Sequence, residues 1–443
     1  MAKPTKPTHQ SHPVKQATTH KHHPGTTGGT ASTPTGAAST GQPAFGQPVP
    51  GPDPSSFKVP HPSDDGLYKL VNDKLVEPFP PPRGGAVEPV LTFEQIWGPT
   101  GLSKQAAIEQ AGQIVFHSVG DTGSVVGPTT EESVADKMVS DFGETNTAAI
   151  PSFFFHLGDV VYSFGESKYY YDQFYEPWRG YQAPILGLAG NHDGVVYAGD
   201  TATTLQAWLT NFCAAEPGES PDSNGLIRTT MIQPGVFYTF DAPFVRILAL
   251  YSNVLEDPGV ISTEGGTRPT LNDSQIDFLT AALTRCKTEN YTGAVLIAVH
   301  HPPYTAGTEH GGSPVMLADM DKACTAAGFW PHAVLSGHAH NYQRFTRTLP
   351  ADQGGLSIPY IIAGNGGHAL DKLRLVNGQT IRTPLIVDAT LTLENYDDID
   401  YGYLRILVDA TNLSIEYHAA ADGTTVKSPT DQVDIDLETH AVS

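Results

Sequence analysis

The sequence predicts a mixed α/β fold in which two mixed β-sheets pack as a sandwich with helices outside. Two patterns predict it. From Gln113 onward, short apolar runs of strand length alternate with helix-like stretches, which argues for parallel strand pairs. In the second half, closely spaced apolar runs joined by short polar turns read as hairpins, and two mixed sheets accommodate both patterns. Hydrophobic residues make up 39 % of the 443, enough for a sizeable core.

The elements follow in chain order. Residues 1–56 are rich in Pro, Thr, Gly, Ser, Lys and His, with hardly any large apolar residue before Phe45. Such a segment cannot bury enough surface to offset its ordering entropy, so a disordered tail is expected. Its histidines read as part of a solvated tail rather than a metal site. Residues 57–111 read as an irregular lead-in, interrupted by Pro78-Phe79-Pro80-Pro81-Pro82 and Gly84-Gly85. One helix is expected there over Lys104–Ala111, capped by Ser103. Ile114-Val115-Phe116 is a buried strand running into Gly120-Asp121-Thr122-Gly123, followed by a helix over Glu131–Asp141. Phe153-Phe154-Phe155 ends in Gly158-Asp159, an aromatic helix is expected over Lys168–Trp178, and Pro184–Leu188 ends in Gly190-Asn191-His192-Asp193. Val236–Phe240 and Val245–Tyr251 form a hairpin. A helix over Ser274–Arg285 follows, capped by Asn272 or Asp273. Ala294–Val299 leads to His300-His301, Met316–Ala327 is helical, and Ala333-Val334-Leu335 ends in Gly337-His338-Ala339-His340. Tyr360–Ala363, Tyr403–Val408 and Leu413–His418 are further strands, and 426–443 reads as a C-terminal tail.

Charge narrows the function classes. The chain has 47 acidic and 25 basic residues, a formal net charge of −22. A surface this acidic repels nucleic acid and anionic lipid, so neither is an expected partner. A phosphate substrate would be repelled as well, unless the site concentrates positive charge. No apolar run approaches the roughly 18–20 residues of a membrane span, and no secretory signal is visible behind Met1-Ala2-Lys3-Pro4-Thr5. The compartment and oligomeric state are left open. Cys213, Cys286 and Cys324 are odd in number and far apart, which argues against a disulfide framework or a zinc cluster.

One event recurs five times: an apolar strand ends, and the turn after it presents Asp, Asn or His. Side chains there point into the crevice beyond the carboxyl ends of strands. Each block alone is an ordinary turn. Together they offer only oxygen and imidazole donors, a set suited to Fe, Mn or Zn. The blocks resemble the calcineurin-like metallophosphoesterase superfamily, and most of all its purple acid phosphatase branch, whose motifs are GDxG, GDxxY, GNH(D/E), VxxH and GHxH. They stand here, in the same order, as Gly120-Asp121-Thr122-Gly123, Gly158-Asp159-Val160-Val161-Tyr162, Gly190-Asn191-His192-Asp193, Ile297-Ala298-Val299-His300 and Gly337-His338-Ala339-His340. The fourth departs by Ile297. Gly123, where other branches usually carry His, and Tyr162 favour the purple branch.

The resemblance implies a four-layer α/β/β/α sandwich, with a catalytic domain over 112–425. It implies two metal ions. Asp121, Tyr162 and His340 would hold the first, Asn191, His300 and His338 the second, and Asp159 would bridge them. Three anionic donors at the first site favour Fe(III), and a divalent Fe, Zn or Mn ion suits the second. Such a centre supplies the local positive charge that the acidic surface lacks, and implies a metal-bound hydroxide attacking phosphorus in a small phosphate-ester substrate. His192 and His310 are implied as the residues that bind substrate and protonate the leaving group.

Other residues are weighed against these. His300 rather than His301 fits the family's His-x-Pro-x-Tyr pattern, through Pro302 and Tyr304. Asp193 either orients His192 or serves as a turn carboxylate. Arg344 is expected to pair with a carboxylate rather than with substrate. His117 and His156 are expected to be buried with satisfied hydrogen bonds, and Gly364-Asn365-Gly366-Gly367 is expected to be a structural turn. Phosphomonoester hydrolysis is the leading reading. A phosphodiesterase or nucleotide hydrolase on the same metals is the alternative, and a dead phosphate-binding protein is disfavoured because every ligand position is filled.

Overall fold

The computed structural model describes residues 45–48, 56–62 and 76–443. Its strands form two mixed sheets. In the first, the order is β1 (Val90–Thr92), β5 (Tyr238–Ala242), β6 (Val245–Leu250), β7 (Ala294–Val299), β8 (Ala333–Ser336), β10 (Ser357–Ala363), β9 (Tyr342–Thr348), β12 (Leu391–Asp397) and β11 (Leu385–Ile386). In the second it is β15 (Asp431–Asp436), β14 (Asn412–Ala419), β13 (Gly402–Asp409), β2 (Gln113–Val119), β3 (Phe154–His156) and β4 (Ile185–Gly187). β2, β3 and β4 run parallel, as do β6, β7 and β8. These are the near-continuous apolar runs of the sequence, because both of their faces are covered. The hairpin-rich half supplies the antiparallel pairs β9/β10 and β13/β14.

The sheets close on each other through aromatic side chains. Phe116 and Phe153 stack at 4.6 Å, and Phe153 meets Phe240 of β5 edge-on at 5.0 Å. Each buried ring of this size contributes roughly 1.5–3 kcal/mol. Outside the first sheet lies the helix Ser274–Thr288, burying Ile276, Phe278, Leu279, Ala282, Leu283 and Cys286. These recur at helical spacing along one face and pack toward the helix Pro314–Ala327. The helix Thr129–Ser140 covers the second sheet. The result is the four-layer α/β/β/α sandwich.

Several local expectations change. Within 57–111, the residues from Val90 onward are regular. β1 joins the first sheet parallel to β5, and Leu91, Phe93 and Ile96 are buried. Ser103 lies inside the helix Gly101–Ala111 and donates to Thr100 O instead of capping it. Asp273 occupies the N-cap of Ser274–Thr288 but its carboxylate accepts from Thr263, while Asn272 accepts from Ser274 N. The aromatic stretch Lys168–Trp178 is broken into 3-10 and π turns, because Tyr169, Tyr170, Phe174, Tyr175 and Trp178 are all buried and Pro177 removes a backbone donor. The C-terminal stretch 426–443 is no tail throughout. β15 pairs antiparallel with β14, burying Val433 and Ile435, and the carboxylates between them had masked the alternation.

Most of the expected tail 1–56 lies outside the described residues. Its described part, 45–48, is docked: Gly46 O accepts from Thr229 N at 2.9 Å and Gln47 Oε1 from the buried Arg228 guanidinium at 2.7 Å. The backbone of Lys58 and Val59 donates to the Asp172 carboxylate at 2.9 Å. His61 lies 3.1 Å from that carboxylate and 2.7 Å from Gln173 Nε2, whose amide also holds Tyr162 N.

Candidate metal centre

The carboxyl ends of β2, β3 and β4 in one sheet and of β7 and β8 in the other meet at one edge of the sandwich. Asp121, Asp159, Asn191, His300 and His338 each lie within four residues of a strand end. The turns are tight. Asp121, Asp159 and His338 have φ of 57°, 54° and 66°, a left-handed conformation uncommon outside glycine and one that gathers at functional sites. Gly337 has no room for a side chain, since a Cβ there would lie 2.6 Å from Asp121 Oδ2.

Two donor groups form around Asp159. In the first, the Tyr162 hydroxyl lies 2.9 Å from Asp121 Oδ1, 2.9 Å from Asp159 Oδ2 and 3.2 Å from His340 Nε2. In the second, His300 Nε2 lies 3.0 Å from Asn191 Oδ1 and 3.1 Å from Asp159 Oδ2, and His338 Nδ1 lies 3.2 Å from Asn191 Oδ1. Asp159 Oδ2 is common to both. Its other oxygen accepts from His192 N at 2.9 Å. His300 donates Nδ1–H to Leu157 O at 2.8 Å, which leaves Nε2 bare, and Asp121 Oδ2 accepts from His338 N at 2.8 Å. All seven side chains are buried.

The donor set fits cations. Among the described residues, neither Asp121 nor Asp159 meets a lysine or arginine. Burial, opposed by His300 and helped by the Asp159 charge, pushes the Asp121 carboxyl up to about 7. Burial and the two carboxylates push the Tyr162 phenol far above its usual range. Burial and neighbouring imidazoles push His338 and His340 well down, into the neutral form that a metal ligand requires. His300 is raised to about 9: burial lowers it, but the Asp159 and Asp121 charges outweigh that. Without a cation, a proton on His300 offsets the Asp159 and Asp121 charges, and metal ions would supply that positive charge in its place.

The remaining expected residues separate by direction. The His192 ring lies 4.1 Å from that of Tyr162, and its Nδ1 donates to Ser163 O at 2.9 Å, a bond that places the neutral ring's proton on Nδ1. His310 lies beside the second group, its ring 4.2 Å from His338 and 4.9 Å from His340. Burial lowers its pKa, but Asp371, with Glu256 and Asp257, raises it overall. Asp193 does not orient His192. Its carboxylate accepts from Val160 N, Val161 N and Gly190 N, tying two turns together. His301 points away, to Ser252 Oγ at 2.7 Å and Leu255 O at 2.9 Å, and its ring backs His338 at 4.0 Å. Arg344 forms a two-pronged pair with Asp431 at 2.7 and 2.9 Å. His117 and His156 find hydrogen bonds on both ring nitrogens, to Asp141 and Tyr181 and to Thr122 and Gly158. His332 bonds Val295 N and Leu437 O.

Three residues at the site escape sequence reasoning. His368 stacks on the Tyr162 ring at 3.8 Å. It directly follows Gly364-Asn365-Gly366-Gly367, so that turn was the available signal. Asp257 and Asp371 flank His310, and no motif marks either one.

Solved structures resemble the chain at low identity. The purple acid phosphatase isolated from yellow lupin (Lupinus luteus) seeds is 16 % identical with a TM-score of 0.49, covering 73 % of this chain and 54 % of its own. The chain therefore spans about half the length of that protein. PhoD is 12 % identical at a TM-score of 0.48, covering 75 % of this chain and 71 % of its own. A dimetal phosphatase from Danio rerio is 12 % identical at 0.40, covering 74 % and 99 %. No curated protein matches the sequence. The family model described as calcineurin-like phosphoesterase matches residues 119–342, just over half of the chain and all five donor-bearing turns. The chain belongs to the calcineurin-like phosphoesterase family, whose chemistry is metal-dependent phosphoester hydrolysis.

Proposed function

We propose that the protein hydrolyses phosphate monoesters at a binuclear centre of the purple acid phosphatase type. Asp121, Tyr162 and His340 would hold a first ion, Fe(III), and Asn191, His300 and His338 a second, divalent Fe, Zn or Mn, with Asp159 available to both. The observation that carries this reading is the buried Tyr162 hydroxyl, 2.9 Å from both carboxylates. A phenol in that position is an anionic oxygen donor in waiting, and a third such donor suits a trivalent ion. When bound, the two ions supply positive charge to the phosphoryl oxygens and lower the pKa of water. The chain's own groups do the rest. His192 presents Nε2 toward the phosphoryl group, with Nδ1 held by Ser163 O. His310 stands on the other side, beside His338, where it delivers a proton to the leaving oxygen. Asp159 faces both donor groups through Oδ2, and its other oxygen is held by His192 N.

Metal analysis combined with rates on 4-nitrophenyl phosphate and bis(4-nitrophenyl) phosphate tests the reading. Two ions per chain and a faster monoester reaction are expected; a faster diester reaction would assign the site to phosphodiesters instead. Tyr162→Phe keeps the ring and removes only the oxygen, so the fold should survive. An iron-loaded parent should be coloured and the variant should lose its visible band. An iron-loaded parent whose spectrum is unchanged by the substitution rules Tyr162 out as a ligand.

A further inference from the structure

The two histidines of Gly337-His338-Ala339-His340 are built in mirror fashion. His338 turns Nδ1 inward, 3.2 Å from Asn191 Oδ1, and Nε2 outward, 3.6 Å from Asp257 Oδ1. His340 turns Nε2 inward, 3.2 Å from the Tyr162 hydroxyl, and Nδ1 outward, 3.6 Å from Asp371 Oδ2. His310 sits between the two carboxylates, with Nδ1 4.0 Å from Asp257 Oδ2 and Nε2 3.3 Å from Asp371 Oδ2. Among the described residues, His338 Nε2 and His310 Nδ1 are buried with no hydrogen-bond partner, and Asp371 Oδ2, also buried, has His310 Nε2 at 3.3 Å outside good hydrogen-bond geometry. Buried polar atoms are rarely left so, and three of them converge on one short stretch.

We propose that Asp257 and Asp371 are positioning residues, one behind each metal: Asp257 orients His338 for the second ion and Asp371 orients His340 for the first. This rests on the two-ion reading of the site. An imidazole that binds a cation through one nitrogen carries its proton on the other, and a carboxylate facing that N–H selects the tautomer, holds the ring and makes it more basic. The separations are a short movement longer than a hydrogen bond, and the carboxylates are the more exposed partners. The Asp257 and Asp371 side chains are 30 % and 18 % exposed, against 1 % and 10 % for the two rings. Both residues are already tied to this part of the site: the Asp257 carboxylate accepts through Oδ1 from Gly311 N at 3.1 Å, next to His310, and the Asp371 backbone N–H donates to His340 O at 2.9 Å. His310 thereby links the two carboxylates, so the residue that handles the leaving group is held by the same pair that aims the metal ligands.

The test is site-resolved metal affinity. Stripped protein is reloaded with Zn²⁺, and both dissociation constants are measured by chelator competition for the parent, Asp257→Ala and Asp371→Ala. The same two changes are then made in a His300→Ala background, where only the first site retains its full donor set. Asp257→Ala should weaken one site of the parent about 10- to 100-fold, and should have no effect in the His300→Ala background. Asp371→Ala should weaken the site that remains there by a similar factor. Asp→Asn, whose amide oxygen still accepts a hydrogen bond, should recover part of each loss, and metal-free melting temperatures should show that all variants fold. Two ions in the parent with affinities unmoved by either alanine, or equal weakening of both sites by each, overturns the assignment alone. A third ion in the parent that Asp257→Ala removes also overturns it, because the carboxylate would then be a ligand itself. Uptake of fewer than two ions by the parent overturns the two-ion reading and this assignment with it.

Discussion

His300 and His301 are adjacent, yet their rings stand at 88° to one another and serve different purposes. His300 aims Nε2 at Asn191 and Asp159, while His301 is spent on Ser252 and the 255–256 carbonyls. His300→Ala should therefore empty the second site, since a coordinating nitrogen is lost. His301→Ala should retain both metals near parent levels, measured by metal analysis of the purified proteins. It should still cost stability, on the order of 2–4 kcal/mol, because the ring is wholly buried against His338. The reverse pattern of metal loss would overturn the assignment. The preference for His300 came from the family's His-x-Pro-x-Tyr pattern, carried here by Pro302 and Tyr304, and strand periodicity alone does not separate the two neighbours. The role of Asp193 was not legible. Its three bonds run to backbone donors of two separate turns, and such partners leave no trace in side-chain identity.

Strands at the two ends of the described chain support the centre from outside. β15 adds an edge to the second sheet, and Arg344 of β9 reaches it through Asp431, tying the two sheets together with two hydrogen bonds. Removing residues 426–443 should therefore lower the melting temperature by several degrees or prevent folding, since it exposes β14 as a new edge and strips Val433 and Ile435 from the core. At the other end, two truncations separate composition from contact. Deleting 1–44 should leave the melting curve within error of the parent. Deleting 1–56 should cost about 1–2 kcal/mol, because Arg228 and Thr229 lose their partners at Gln47 and Gly46. Equal melting temperatures for the two would show that the docked segment contributes nothing. The docked residues 45–48 and the strand in 426–443 escaped notice for one reason: their apolar residues are few and interleaved with charge, proline or glycine, so only the partner strand or loop reveals the buried face.

At the scale of the whole molecule, charge and proton binding set the behaviour. Under the proposed two-ion reading, metals would oppose the net charge of −22 at one point, the place where phosphate could approach. Buried histidines away from the centre add a pH dependence. His440 stacks on His332 at 4.4 Å, and burial, with the His332 ring, pushes its pKa down to about 4. A base whose folded pKa lies below its unfolded value of about 6.5 is bound neutral in the fold and takes up a proton more readily when unfolded. Its contribution is present above pH ~6.5 and is lost as pH falls toward 4, on the order of 1–3 kcal/mol. Denaturant unfolding of the parent and of His440→Gln across pH 7.5 to 4.5 should show the parent losing more stability than the variant. Parallel curves would mean that His440 titrates alike in both states.

The sequence by itself determined the sandwich of two mixed sheets and the strand-ending turns that bring Asp121, Asp159, Asn191, His300 and His338 to its edge, while the full set of seven donors, with Tyr162 and His340, came from the family resemblance. Strand periodicity is local, so the position of each turn already places its side chain at the carboxyl edge. Only the tertiary structure decided what stands behind them. Asp257, Asp371 and His368 come from loops with no periodicity, and they matter through distances of 3.3 to 4.0 Å to residues far along the chain. The nitrogen that each histidine turns inward was likewise settled by packing, because a ring's orientation depends on the partner of its other nitrogen, and that partner is chosen by the fold.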